Sequence, residues 1–274
     1  MFDRIFFCKT HNFHSMNRKW TGILISQVMM CILMAPEITW CQGSLATDRP
    51  SESAAATLMP NGLSRAELGG IMNWLTENAS GAQTFAYAAP LGILRYGISN
   101  EVELRAGARF SQQVGAVDDA MLGAKLDLPG DFWGEVDACY LVEVNINPTR
   151  GWSPGQPIPS DHRLCLGTSF NTIWSITANA GWMRNAGEST WMTSVALARE
   201  LGVQGWSGFI ESYAYSGETP EANLGFQRQI ENDMQLDVVL GRNFRGDVTD
   251  FVVGLGLSLT LTGETTHGMF RAKD

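Results

Sequence analysis

Charged side chains at alternate positions are the residues of this sequence with the clearest chemical potential. The stretch from Leu94 to Phe110, LRYGISNEVELRAGARF, carries Glu103, Arg105 and Arg109 two or four residues apart. Residues two apart share one face of a β-strand, so these charges line one face and aliphatic residues line the other. Carboxylates and guanidinium groups on one face can pair with one another or bind a charged or polar solute.

Many other charged residues have the same parity in neighbouring stretches, and we predict that they share one interior. This interior is either a polar pathway that binds or filters a solute, or a filled lumen stiffened by ion pairs, and the two interpretations have equal weight. The set holds nine acidic and five basic residues, an excess that favours cations or neutral molecules over anions. Its members are Glu67, Arg95, Glu101, Glu103, Arg105, Arg109, Lys125, Asp127, Glu135, Asp137, Glu143, Arg163, Glu211 and Asp237.

Catalysis has little support in the sequence. His162 and His267 are the histidines beyond the N-terminal leader, and Ser160 lies near His162 without an orienting acid or an oxyanion site. Neither metal-ligand spacing nor a phosphate-binding loop is present. The sequence therefore predicts a protein that is not an enzyme and that needs no cofactor and no metal.

Cys139 and Cys165 are the two cysteines that remain after the leader. Both have lumen-facing parity on strands that we expect to be adjacent, and the register of the hairpin brings them close to opposite. A disulfide is one outcome in an oxidising compartment, and a pair of buried thiols is the other.

The alternation recurs along the chain and predicts an all-β fold, an antiparallel transmembrane β-barrel of about 12 strands. Tight turns alternate with longer connections, as in outer-membrane barrels and unlike soluble sandwiches. We expect strands at 65–74, 84–97, 100–111, 120–128, 132–146, 162–170, 173–183, 190–201, 205–215, 221–230, 233–243 and 250–261.

Tryptophans fall at the ends of these strands. Such positions are typical of the aromatic girdles at the two membrane interfaces, although a soluble core capped by tryptophan is the alternative. The girdle residues are Trp74, Trp133, Trp174, Trp182, Trp191 and Trp206.

Four segments organise the chain. A basic stretch before an apolar run predicts a signal peptide at residues 1–43, with Met16 as an alternative start. Residues 44–64 form a periplasmic N-terminal segment, which either folds into or across the barrel mouth or is a disordered tail. Residues 65–261 form the barrel, and residues 262–274 form a C-terminal tail.

Charge excludes one class of partner. Removing residues 1–43 takes away four of the 19 basic and two of the 28 acidic side chains and leaves a net charge of −11. A chain this acidic is not expected to bind nucleic acid.

The order of several short motifs resembles a known family. These motifs are TDRP at Thr47–Pro50, LRYGI at Leu94–Ile98, EVELR at Glu101–Arg105, GAK at Gly123–Lys125, GFIE at Gly208–Glu211, QLD at Gln235–Asp237 and VGLGL at Val253–Leu257. In them the chain is similar to the Gram-negative outer-membrane β-barrels named for the meta-pathway of phenol degradation. The resemblance spans the mature chain and brings no catalytic residues.

The resemblance implies a channel or transporter for small solutes, with aromatic or hydrophobic compounds as candidate cargo. The alternative is a non-transporting structural or surface-binding barrel of the same membrane. The expected partners are outer-membrane lipid, small solutes and, during biogenesis, the barrel-assembly machinery. The oligomeric state stays open.

Overall fold

The computed structural model describes residues 47–48, 51–111, 115–128, 135–146, 158–170, 173–185, 188–203, 205–243 and 248–261. The expected signal peptide, the C-terminal tail and Trp133 lie outside these ranges. Twelve strands are found in the described part of the chain: β1 Ser64–Glu77, β2 Gln83–Gly97, β3 Val102–Ser111, β4 Ala116–Asp127, β5 Asp137–Ile146, β6 Ser160–Phe170, β7 Trp174–Asn185, β8 Glu188–Glu200, β9 Trp206–Tyr215, β10 Glu221–Glu231, β11 Met234–Asn243 and β12 Val248–Leu261.

The strands form one closed antiparallel barrel. Each strand pairs with its neighbours in sequence, and β1 closes the ring by pairing with β12 from Ser64↔Leu261 to Glu77↔Val248. Closure satisfies the backbone of both terminal strands, which would otherwise be open sheet edges. The predicted fold is confirmed. None of the described residues forms a helix that is long and apolar enough to span a membrane.

The two faces of the barrel wall differ as the alternation predicts. Leu122 and Leu255 are 60% and 55% exposed on the outer face, whereas Glu103 and Lys125 on the inner face are fully buried. Strand β9 departs from the simple pattern, because the aromatic Phe209 faces inward on the same side as Glu211. The inner wall is therefore polar on most strands and partly aromatic on β9.

Two strand starts differ from the sequence expectation. Strand β5 begins at Asp137 rather than at residue 132, and Glu135 lies in the preceding turn. Strand β4 begins at Ala116 rather than at residue 120. Its pairing with β3 shifts register between Arg109 and Phe110 and continues beyond this irregular point. Irregular pairing of this kind breaks the period of two that the prediction relied on.

The described residues before β1, 47–48 and 51–63, lie inside the barrel. Gly62 and Leu63 exchange backbone hydrogen bonds with Gly97 at the turn end of β2, at 2.9 Å and 3.0 Å. At the other end of the described segment, Thr47 also lies near the turn end of the barrel. Gln235 Nε2 donates to the Thr47 hydroxyl there at 3.1 Å. We call residues 47–48 and 51–63 the plug segment.

Candidate functional site

The plug segment is held by charged side chains of the inner wall, and Asp48 lies at the centre of these contacts. Lys125 Nζ donates to Asp48 Oδ1 at 2.9 Å, and Arg105 Nη1 donates to Asp48 Oδ2. Arg95 Nη1 lies 3.7 Å from Oδ2. The backbone N–H of Asp48 donates to the Glu67 carboxylate at 3.2 Å. One carboxylate thus meets three cations from strands β2, β3 and β4.

The same cations are also paired with carboxylates of the wall. Arg95 donates to Glu67 Oε1 at 3.0 Å and to Glu103 Oε1 at 2.8 Å, and its side chain is fully buried. Arg105 Nε lies 2.9 Å from Glu143 Oε1. These pairs join β1, β2, β3 and β5 into one buried ionic network. Arg65 is buried beside it, as the cross-strand partner of Arg95. We call the network, Asp48, Lys125 and Arg65 together the Asp48 cluster.

Electrostatics fix the protonation state of Asp48. Burial alone would raise the pKa of this carboxyl, but the charges of Arg95, Lys125 and Arg105 outweigh it and hold the pKa well below its ordinary value. The carboxylate is therefore ionised at neutral pH, as an ionic anchor of the plug segment requires.

A second set of contacts holds the middle of the plug segment on the opposite wall. Glu211 accepts hydrogen bonds from the backbone N–H of Glu52 at 3.0 Å and of Ser53 at 2.7 Å. The Ser53 hydroxyl donates to Ser194 Oγ at 2.8 Å. Asn179 accepts from the backbone N–H of Ala54 at 2.6 Å and donates to its carbonyl oxygen at 3.1 Å. Wall side chains thus bond the plug backbone directly, as a sheet neighbour would.

Glu52 marks the deepest part of the segment, near the loop end of the barrel. It accepts a hydrogen bond from the Tyr215 hydroxyl and lies 3.8 Å from Arg163 Nη2. Arg163 itself is paired with Asp161 at 2.6 Å and donates to the Glu52 carbonyl oxygen at 2.9 Å. Tyr213 donates to Glu221 at 2.5 Å on the same wall.

An apolar patch completes the seat of the plug segment. Ala54 and Ala56 pack with Leu141 and with the two wall cysteines, Cys139 and Cys165, which are both fully buried. The cysteines face each other directly across β5 and β6, so the predicted register is confirmed. Both are free thiols in the structure, and the disulfide that the sequence left open is not formed there.

A cavity remains beside the plug segment. Its volume is ≈ 130 Å³, and it reaches Asp48 and Arg105 on one side. Much of its wall is apolar, from Ile71, Leu91 and other aliphatic side chains of β1 to β5. Its polar lining includes Ser51, Glu52, Arg105, Arg109, Asp119, Glu143, Asn145 and Arg163.

The structure brings together one part of the predicted lumen set and separates the rest. The residues that meet in the Asp48 cluster are Glu67, Arg95, Glu103, Arg105, Lys125 and Glu143. Outside the cluster, Arg109 lies 4.0 Å from Asp119 at the cavity, Glu211 binds the plug segment, and Asp237 is buried on β11.

Several predicted acidic residues lie at the turn end of the barrel. Glu101, Glu135 and Asp137 are exposed there, and Asp127 is half-buried at the last position of β4. The three exposed side chains lie at the open turn end of the barrel rather than in its buried interior, so their place in the solute pathway and the expected cation preference stay predictions.

Sequence reasoning also missed residues of this site. Asp48, Arg65, Asp161 and Glu221 are buried in the lumen. Arg65 and Asp161 lie at strand ends, where a shift of one or two residues in the predicted boundary hides them. Asp48 belongs to the TDRP motif, and that motif was the available signal.

The five predicted girdle tryptophans within the described residues lie on the outer face near both ends of the barrel. Trp74, Trp182 and Trp191 are at the loop end and are 40%, 37% and 62% exposed. Trp174 and Trp206 are half-buried at the turn end, where Arg199 and Arg228 lie over their rings at 5.2 Å and 5.4 Å from the centroids. A guanidinium over an aromatic face is favourable, so each arginine covers its tryptophan.

Ser160 and His162, which were considered for catalysis, take part in packing and hydrogen bonds on the barrel wall. His162 stacks on Trp182 with ring centroids 4.8 Å apart, and its two ring nitrogens contact the Tyr140 hydroxyl at 2.8 Å and Ser160 Oγ at 3.1 Å. Within the described ranges, no group of three or more histidine, cysteine or acidic side chains is arranged to hold a metal ion.

Comparisons with known proteins agree with this architecture. The family model described as "Putative MetA-pathway of phenol degradation" matches residues 47–261, which include the plug segment and all twelve strands. A search of the curated proteins found no match.

Solved structures of porins share the fold. The KdgM porin is similar with a TM-score of 0.51 and 7% identity over 70% of this chain and 98% of that chain. The KdgM porin in complex with disordered oligogalacturonate gives 0.52 and 7% over the same shares. The NanC porin gives 0.52 and 9% over 71% of this chain and 100% of that chain. At these identities the likeness concerns the fold alone.

Proposed function

Because this chain belongs to the family of the MetA-pathway of phenol degradation, we propose that it is an outer-membrane channel for small solutes whose resting state is closed by the plug segment. The family match and the porin fold support the channel role, and the buried contacts of the plug segment support the closed state. The observation that carries the proposal is the seat of Asp48, a plug residue, among Arg95, Arg105 and Lys125 of the wall.

The outer face fits an outer-membrane location. Large apolar residues such as Leu122 and Leu255 are more than half exposed there, and tryptophans lie near both ends. Exposed leucines in the middle of strands are favourable in hydrocarbon and unfavourable in water. We therefore assign the outer face to lipid and the two rows of tryptophan to the membrane interfaces.

Size limits the solutes that this channel would pass. An eight-stranded barrel is filled by its own side chains and a sixteen-stranded one leaves an aqueous channel, so twelve strands leave a narrow lumen. In the resting state the plug segment occupies much of that lumen, and the solute passes only when the segment moves. Small aromatic or hydrophobic compounds are the proposed cargo. The family name motivates this assignment, and the apolar wall of the ≈ 130 Å³ cavity is compatible with it.

A non-transporting barrel is the second candidate. The contacts between the plug segment and the wall also support this candidate. A lumen filled by ion pairs and backbone hydrogen bonds is expected of a permanently closed structural protein as well. The two candidates differ in whether the plug segment leaves the lumen.

Single-channel recordings in planar bilayers test the proposal. The mature protein should show rare openings, and a variant in which a Gly/Ser sequence of equal length replaces residues 47–63 should show a steady conductance. A third protein, with Leu255→Ile on the outer face, controls for handling and should behave as the wild type. Absence of conductance in the Gly/Ser variant, with folding verified by gel migration, would favour the structural barrel.

A further inference from the structure

The Asp48 cluster loses one of its carboxylates when the plug segment is withdrawn. Its cations are Arg65, Arg95, Arg105 and Lys125, and its carboxylates are Asp48, Glu67, Glu103 and Glu143. Three of these carboxylates belong to the wall, and Asp48 alone belongs to the plug segment. When the plug segment is withdrawn, Lys125 loses both of its hydrogen-bond acceptors among the described residues, the Asp48 carboxylate and the Ala55 carbonyl oxygen.

An uncompensated charge in this position is costly. The side chains of Arg95 and Lys125 are fully excluded from solvent, and that of Arg105 is 4% exposed. Buried charges are stable in proteins when they are paired, and removing one partner leaves the other with the whole cost of desolvation. When Asp48 leaves, another anion is the most direct replacement for its negative charge.

The geometry at Asp48 fits a carboxylate from solution. One oxygen of Asp48 meets Lys125 Nζ at 2.9 Å, and the other meets Arg105 Nη1, with Arg95 Nη1 at 3.7 Å. Lysine and arginine on both oxygens of one carboxylate form strong, charge-assisted contacts. All three cations belong to the barrel wall, so they remain when the plug segment moves.

The wall side of the adjoining cavity, which stays in place when the plug segment moves, limits the shape of such a ligand. Asp48 and Arg105 both line the ≈ 130 Å³ cavity, together with the apolar side chains of Ile71, Met121 and Leu141. An apolar cavity of about 150 Å³ accommodates a benzene molecule, so this space suits an apolar body of about one ring. A carboxylate on that body would point towards Arg105, which is the member of the three cations that lines the cavity.

We propose that Arg95, Arg105 and Lys125 form a binding site for small monocarboxylates with an apolar body, and that Asp48 occupies this site as a tethered stand-in. A solute carboxylate then competes with Asp48 and favours the withdrawn state of the plug segment. This inference rests on the proposed channel function, because withdrawal of the segment is the event that the solute promotes.

Binding of benzoate to the mature barrel in detergent tests the site, with benzyl alcohol as a neutral probe of nearly the same shape. Calorimetry should show at least tenfold tighter benzoate binding to Asp48→Asn than to the wild type, because the competing carboxylate is gone. Glu188→Gln removes a carboxylate at the exposed loop end of β8, away from the cluster and the cavity, and it should leave the benzoate affinity within about twofold of the wild type.

A double variant separates binding from folding. Asp48→Asn with Lys125→Met removes one negative and one positive charge, so the net charge of the cluster is unchanged and the barrel should fold. This protein should lose the gain in benzoate affinity. Equal benzoate affinity of the wild type and Asp48→Asn, an unchanged gain in the double variant, or equal binding of benzyl alcohol and benzoate would each overturn the proposal.

The outcomes are distinguishable from failure of the channel function. If benzoate does not bind but replacing residues 47–63 produces conductance, the channel stands and the carboxylate site is refuted. If benzoate binds as expected and no variant conducts, the site exists in a barrel that does not transport.

Discussion

Substituting Asp48 by asparagine should release the plug segment, and the wall cysteines report the release. Cys139 and Cys165 are fully buried beneath Ala54 and Ala56. Residues 44–274 contain these two cysteines only. A thiol reagent in the lumen therefore reaches them when the segment has moved away.

The magnitude follows from the contacts of Asp48. Its side chain is 3% exposed and meets Arg95, Arg105 and Lys125. Removing one partner of a buried ion pair costs about 3–5 kcal/mol. The asparagine oxygen can still accept one hydrogen bond, so we take about 3 kcal/mol, which corresponds to about a hundredfold increase in the opened population.

The assay is the rate of labelling of the folded barrel by a maleimide, divided by the rate for the unfolded chain. When closing is fast, this ratio follows the opening equilibrium, so Asp48→Asn should label about a hundredfold faster than the wild type. Glu52→Gln is the matched control. Arg163 keeps Asp161 at 2.6 Å, and the side-chain carbonyl of the introduced glutamine can accept the Tyr215 hydroxyl, so the increase should stay below about tenfold. Equal labelling of the wild type and Asp48→Asn would refute the role of Asp48 as an anchor.

Three further predictions concern the wall and pH. Leu255→Arg, which places a guanidinium on the outer face, should lower the free energy of unfolding in denaturant titrations by about 2–4 kcal/mol; stability equal to the wild type would contradict the face assignment. Arginine at the neighbouring Gly256 should instead be limited by space, because a Cβ there would collide with the Asp237 carboxylate. Gly225→Ala places a Cβ against the Phe209 ring, closer than van der Waals contact allows, and should lower the free energy of unfolding by about 1–3 kcal/mol in the same titration. Adding Phe209→Leu should restore the stability, whereas an unchanged stability of Gly225→Ala alone would show that the ring moves freely. The pKa of Asp48 is lowered by its cationic neighbours, so its contribution is complete above the unfolded pKa of about 3.9 and is lost as the pH falls through the lower folded value. The difference in bilayer current between the wild type and Asp48→Asn should accordingly be the same at about pH 8 and pH 5, and a difference that disappears at pH 5 would argue against ionised Asp48 as the anchor.

The barrel wall could be predicted from the sequence because its signal is local. A period of two assigns each residue to a face from its near neighbours alone, so Leu255 and Glu103 were placed correctly. The prediction failed where the period is interrupted, as at the β3–β4 register shift after Arg109, and where a strand begins, as at Asp137. At these points the neighbours carry no information about the face.

The plug segment could not be predicted in the same way. Its contacts join residues far apart in sequence, such as Ser53 with Glu211 and Asp48 with Lys125. A segment rich in serine and alanine has no periodicity, and it is ordered by the side chains of a wall that exists only after the barrel closes. The sequence left open whether the segment folds into the barrel, and this could be decided only once the wall residues had positions.

Locking the plug segment in place is the most direct test of the proposed function. Ser53 Oγ and Ser194 Oγ lie 2.8 Å apart, close enough for cysteines at both positions to form a disulfide. The lock is built in a chain that also carries Asp48→Asn, Cys139→Ala and Cys165→Ala, and uptake of a small neutral sugar is measured by liposome swelling. We predict that the oxidised protein admits no sugar and that the reduced protein admits it. Equal swelling before and after reduction, whether fast or absent, would contradict a channel closed by residues 47–63.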